Sequence, residues 1–165
     1  MGGMPCCVPL SAKERVNQIY IALALQLPAA SLMDDGTIKL EGAQGLFNPK
    51  SLPDPRWLKG KMTPEEYYQE IDLLNKRVTQ FGFTLSSMFT PMYQSDYVDL
   101  REKVRMDTLE EINQRHPSIR FTYQATEVIK DLDLSSIDDP ILNFKSATVP
   151  SKMPCRVTIL YISFD

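Results

Sequence analysis

The run Cys155-Arg156-Val157-Thr158-Ile159-Leu160-Tyr161-Ile162-Ser163-Phe164 constrains the fold more than any other part of the chain. Its β-branched and aromatic residues suit a pleated surface. From Ile159 onward, apolar residues fall on both faces, whereas a strand with one wet face alternates. The run therefore predicts a central strand, covered by helices on at least one side. Such a strand needs partners, and two segments qualify. Thr37-Ile38-Lys39-Leu40 follows the turn signal Asp34-Asp35-Gly36. Ile119-Arg120-Phe121-Thr122-Tyr123 alternates, as a half-buried strand does.

Helical periodicity supplies the second layer. Thr63-Pro64-Glu65-Glu66 has an N-cap residue, a proline at the first helical position and acidic residues at the positive end of the dipole. Tyr67, Ile71, Leu74, Val78 and Phe81 then form one stripe, with Gly82 as the stop. Glu70, Asn75, Lys76 and Arg77 are expected on the solvated face. A longer helix is expected over about 96–115, with Tyr97, Leu100 and Val104 in its first stripe. Thr108-Leu109-Glu110-Glu111 resembles a capping box and allows a break near Asp107. At the other end of the chain, Ser11-Ala12-Lys13-Glu14 is a capping box that opens a helix over about 12–27. Glu41 to Lys61 reads mostly as loop, pinned to the core by Leu46, Phe47, Leu52, Trp57 and Leu58.

The expected fold is one α+β domain over 11–165, after a flexible tail at 1–10. A small, mainly antiparallel sheet comes from about 37–40, 119–124 and 155–164. Helices near 64–81 and 96–115 pack on one face, with the N-terminal helix alongside. The 165-residue length fits a single domain.

Composition narrows the function classes. The formal net charge of -3 argues against a nucleic-acid partner. Ile19 to Leu25 is the longest apolar run, far short of the ~20 residues a membrane-spanning helix needs. Glu14 and the capped, amphipathic start also argue against a secretory signal. The single histidine, His116, is expected to cap a helix end at the surface. Asp131, Asp133, Asp138 and Asp139 lack the spacing and central glycine of an EF-hand and read as solvated turns. No phosphate-binding loop, dinucleotide fingerprint, G-x-S-x-G or H-E-x-x-H occurs. The expectation is a non-catalytic interaction protein with no metal or cofactor. The competing reading is a small soluble enzyme acting on a small molecule.

Two segments carry the interaction reading. Met1-Gly2-Gly3-Met4-Pro5-Cys6-Cys7 offers Gly2 for myristoylation, although Cys6 stands where that motif wants Ser or Thr. Cys6 and Cys7 are adjacent thiols suited to reversible palmitoylation, and two acyl chains anchor where one binds only marginally. The alternative is a plain terminus with incidental cysteines. Three cysteines make no disulfide framework, and a reducing cytosolic compartment is the simplest fit. Phe83 to Tyr93 carries Phe83, Leu85, Met88, Phe89, Met92 and Tyr93 with no charge. It is either a buried connection or an apolar patch for a partner or membrane.

The order of elements resembles a known family: golgin subfamily A member 7, the yeast Ras-palmitoyltransferase accessory subunit and the cysteine-rich hydrophobic domain proteins. The resemblance rests on Phe47-Asn48-Pro49 with Leu52, on Thr63-Pro64-Glu65-Glu66-Tyr67 through Leu74-Asn75, and on Arg156 to Tyr161. It implies a non-catalytic subunit that stabilises a membrane-embedded DHHC protein acyltransferase, on the cytosolic face of an internal membrane. The family's middle segment is longer and carries acylated cysteines. Phe83–Tyr93 has none, and 125–154 has no obvious counterpart, so the resemblance implies lipidation moved to Cys6 and Cys7.

Overall fold

A computed structural model of the chain describes residues 12–79, 94–137 and 151–165. The elements run α1 (Ala12–Ala24), β1 (Ser31–Leu32), β2 (Ile38–Ala43), a 3-10 turn (Pro55–Leu58), α2 (Pro64–Thr79), α3 (Gln94–Arg115), β3 (Ile119–Asp133) and β4 (Lys152–Phe164). The four strands form one sheet in the order β1-β2-β4-β3, and every pair is antiparallel. The α+β architecture is the one expected.

β4 is the interior strand. It pairs with β2 from Ile38↔Ile162 to Ala43↔Val157, and with β3 from Ile119↔Phe164 to Asp133↔Lys152. Val157, Thr158, Ile159 and Leu160 are all buried, so consecutive residues are covered on both faces. That is what its unbroken apolar run requires.

β3 is much longer than its alternating stretch. Ile119, Phe121 and Tyr123 follow the expected in–out pattern, but the strand continues to Asp133. Most of its residues from Gln124 to Asp131 are exposed, and backbone pairing with β4 holds them. A register shift between Ala125 and Ile129 interrupts the ladder. There Thr126 Oγ1 donates to the Val157 carbonyl and accepts from the Val128 amide.

The start of α2 is a capping box. The Thr63 amide donates to Glu66 Oε2 at 2.8 Å, and the Glu66 amide donates to Thr63 Oγ1 at 3.2 Å. These bonds hold the Glu66 carboxyl below the usual carboxylate range. Tyr67, Ile71, Leu74 and Val78 are buried as the stripe predicts, while Phe81 and Gly82 lie outside the described residues. α3 runs unbroken past Asp107, because Thr108 turns its hydroxyl back onto the Val104 carbonyl at 2.7 Å instead of capping a new helix. In the loop, Leu46, Phe47 and Leu58 are fully buried, and Leu52 and Trp57 pack against the same core.

The solvated face expected of α2 is corrected at two positions. Lys76 is exposed, but Asn75 is 0% exposed and Glu70 is buried. Asn75 is buried because it completes another segment's backbone. Its Oδ1 accepts from the Phe47 amide at 3.0 Å, and its Nδ2 donates to the Phe47 carbonyl at 2.6 Å. Phe47 is thereby fixed with its ring against Gly42, where a Cβ would overlap it. The ring meets Tyr123 edge-to-face, with centroids 6.4 Å apart.

Removing this amide strands two buried backbone groups, each costing about 1–3 kcal/mol when unpaired. Asn75→Ala is therefore expected to lower stability by about 2–4 kcal/mol in urea unfolding. A loss below about 1 kcal/mol would show that the loop finds other partners without strain.

Candidate functional site

The lipidation candidates Gly2, Cys6 and Cys7 lie outside the described residues. So do the contact candidates Phe83, Leu85, Met88, Phe89, Met92 and Tyr93. Among the described residues, no group of three His, Cys, Asp or Glu side chains is placed to hold a metal ion. The described thiol, Cys155, is buried in β4. Burial pushes it up to about 12, helped by the neighbouring charge of Asp131. Burial of this kind disfavours the thiolate form.

His116 is not the surface cap that its position beside Pro117 predicted. Its side chain is 15% exposed, and Nε2 lies 2.9 Å from Glu70 Oε1. A carboxylate can only accept, so Nε2 carries the proton. Arg115 bonds the same carboxylate through Nε at 3.1 Å and through Nη2. Burial alone would raise the Glu70 carboxyl. The bonds from Arg115 and His116, and their charges, outweigh burial and hold it below the usual range. Arg115 Nε, Arg115 Nη2 and His116 Nε2 all meet one carboxylate of α2, while Arg115 Nη1 lies 3.8 Å from Glu111, which makes the cluster a tie between α2 and the end of α3.

A second polar cluster has a different character. Arg101, Arg105 and Arg156 line a cavity of about 70 Å³ with Gln44, Tyr123 and Thr158, and Glu102 is the carboxylate at its wall. Four elements build it. α3 supplies Arg101 and Arg105, one helical turn apart on the side facing the sheet. β3 supplies Tyr123, and β4 supplies Thr158 and the exposed Arg156. The fourth side is the turn after β2, where Ala43 and Leu46 exchange both backbone bonds at 3.0 Å. Its central residues, Gln44 and Gly45, have φ of 53° and 81°, as a primed hairpin turn requires. The Gly45 amide donates to Thr158 Oγ1 at 3.1 Å, which locks the turn onto β4.

Arg105 is the buried member, with 5% of its side chain exposed. Its guanidinium stacks 4.1 Å from the Tyr123 ring centre, donates from Nη1 to Glu102 at 2.8 Å, and lies against Gly45. A Cβ at Gly45 would overlap it, so only glycine leaves this room. Arg105 Nε is buried and has no partner. Burial holds the Arg101 guanidinium below its ordinary value, and the like charge of Arg105 adds to that against the opposing effect of Tyr20 and Tyr123. Sequence reasoning missed this cluster, because Arg101 and Arg105 meet Arg156, Tyr123 and the Gln44 turn only in the finished fold.

Exposed apolar side chains are placed elsewhere. Val128 and Ile129 are 51% and 63% exposed at the register shift of the edge strand. Leu25, Leu32 and Met33 are exposed at the end of α1 and beside β1.

Two outcomes are expected. Glu70 has a depressed folded-state value, so its contribution is present above the ordinary Glu range of about 4.3 and is lost as pH falls through that depressed value. Glu70→Gln is therefore expected to cost about 1–3 kcal/mol at pH 7 and to flatten the acid side of a urea-midpoint profile. Cys155, assayed in a chain carrying Cys6→Ser and Cys7→Ser, is expected to stay unmodified by a thiol reagent at pH 8 until the chain unfolds. Fast labelling of the native state would contradict its burial.

Among the described residues, no helix is long and apolar enough to cross a membrane. Compared with known proteins, the chain matches no family model, no curated protein and no solved structure.

Proposed function

We propose that this chain is a non-catalytic adaptor, held at a membrane surface through Cys6 and Cys7, with Gly2 assisting, and that it acts as an accessory subunit of a membrane-embedded DHHC protein acyltransferase. The observation that supports this reading is the meeting of the three segments that carry the family resemblance. Asn75 of α2 bonds both backbone groups of Phe47. Phe47 in turn lies on Gly42, which pairs with Thr158 inside the Arg156–Tyr161 run. Residues distant in sequence thus form one structural unit, which is how a shared fold would couple them. The buried setting of Cys155 and the tie of His116 Nε2 to Glu70 also support this reading.

In this reading the acyl chains supply the membrane affinity. One myristoyl chain gives a binding constant of only about 10⁴ per molar, so residence needs a second chain. Lys13 and Arg15 would each add roughly 1 kcal/mol at an anionic surface. Phe83 to Tyr93 is the proposed contact for the partner.

The test is affinity capture of the tagged chain from its own cells, with mass spectrometry of bound proteins and acyl groups. The expected result is a membrane-embedded acyltransferase in the wild-type capture and thioester-linked acyl groups on Cys6 and Cys7. The double variant Cys6→Ser and Cys7→Ser should move to the soluble fraction with its melting temperature unchanged. A wild-type chain that is wholly soluble and unacylated would end the anchor proposal. Turnover of a small molecule by the purified chain alone would favour an enzyme instead.

A further inference from the structure

We infer that the arginine-lined cavity between α3 and the β3–β4 ladder binds one phosphate-type oxyanion, either free phosphate or the phosphomonoester group of a larger molecule. This inference does not depend on the proposed adaptor function. Three guanidinium groups, of Arg101, Arg105 and Arg156, line the cavity, with Glu102 as the one carboxylate among its described lining residues. A phosphomonoester carries about -1.5 to -2 at pH 7, and guanidinium forks match its oxygens in pairs. This basic cluster is local, because the chain as a whole carries -3.

Size points the same way. A cavity of about 70 Å³ takes a single tetrahedral group, and is far below the ~300 Å³ at which sites for whole small molecules begin. A bound ester would therefore leave its remaining atoms outside. The opening accommodates this, since Arg156 is exposed while Arg105 is the buried floor.

Several features of the site are costly for a merely structural arginine. Arg105 is buried yet uses only part of its donor set, with Nε unpartnered. A buried donor left without a partner is destabilising. Gln44 holds a left-handed backbone at the rim, a conformation uncommon outside glycine. Gly45 is the residue type that leaves space for the guanidinium, and its turn is fastened to Thr158. Thr158 accepts from that amide, so its own hydroxyl proton remains to be donated. Gln44 lines the same cavity, and its residue type carries an amide donor. The wall is thus rich in donors, and Glu102 is the one carboxylate among its described residues.

The test uses the full chain. Inorganic phosphate is titrated while melting temperature and the arginine side-chain NMR signals are followed, with sodium chloride at matched ionic strength as reference. The expected result is saturable stabilisation by phosphate beyond that of chloride, with the Arg101, Arg105 and Arg156 signals moving together. Arg156→Gln, which changes an exposed side chain, should weaken phosphate binding at least tenfold, while Arg120→Gln, at an exposed position on the adjacent surface, should leave it unchanged. The wild-type NMR titration stands on its own if a variant misfolds. Two arms separate the sources of the group. A soluble inositol phosphate is compared with phosphatidylcholine vesicles holding a phosphatidylinositol phosphate. Binding of both identifies the phosphate group as sufficient, and binding of vesicles alone identifies a lipid headgroup. Stabilisation equal to that by chloride, or equal in Arg156→Gln, would overturn the inference. So would a preference for acetate over phosphate, since that would make the site one for carboxylates.

Discussion

The sheet depends on one strand. β1 reaches the others only through β2, and β2 and β3 touch only across β4. The middle of β4 is therefore both the hydrogen-bonding hub and the apolar seam between two buried faces. Leu160 and Ile162 lie in register with Leu40 and Ile38 on one side and with Tyr123 and Phe121 on the other. A polar substitution there would leave a buried group unpaired in a place where no rotamer reaches water.

Around that seam, polar side chains join one element to another. Asn75 substitutes for a strand partner at Phe47. Glu70 gathers the end of α3 onto α2. Asn113 of α3 repeats the device on β3, exchanging bonds with both backbone groups of Phe121 at 2.7 and 3.1 Å. Each of these side chains is satisfied by groups within the fold. Arg105 is the contrast, buried like Asn75 and Glu70 but with donor capacity left over. That difference separates a tie from a site.

Local signals were readable, and long-range ones were not. The α2 start was legible because its cap, proline and acidic residues lie within four positions. β4 was legible because its composition alone demands two covered faces. Glu70 and Asn75 were assigned to solvent because their type is polar, yet the period already placed Asn75 with the stripe. Ile71, Leu74, Asn75 and Val78 have the spacing i, i+3, i+4, i+7 of one helical face. A polar residue at such a position is a signal for a buried bond to a distant backbone. The outer half of β3 gave no signal because a ribbon exposed on both faces needs no alternation, and its order comes from pairing with β4. The arginine cavity was illegible for a related reason. Its lining comes from α3, from two strands and from a turn, and only the finished sheet brings Gly45 to Thr158, 113 positions apart.

That separation bears on the route by which the chain folds. β3 and β4 are neighbours in sequence and can zip as a long hairpin, while β1 and β2 can form a short one of their own. Neither hairpin has a complete core, and joining them closes a loop that contains α2 and α3. The entropy of that closure must be met before the β2–β4 ladder returns any hydrogen bond, and such non-local pairings are the slow ones in folding. The β2–β4 pairing is the most non-local ladder of the sheet. Until it occurs, β4 presents an unpaired apolar edge, which is the surface where a nascent chain of this design is most open to chaperones and to pairing with its own copies.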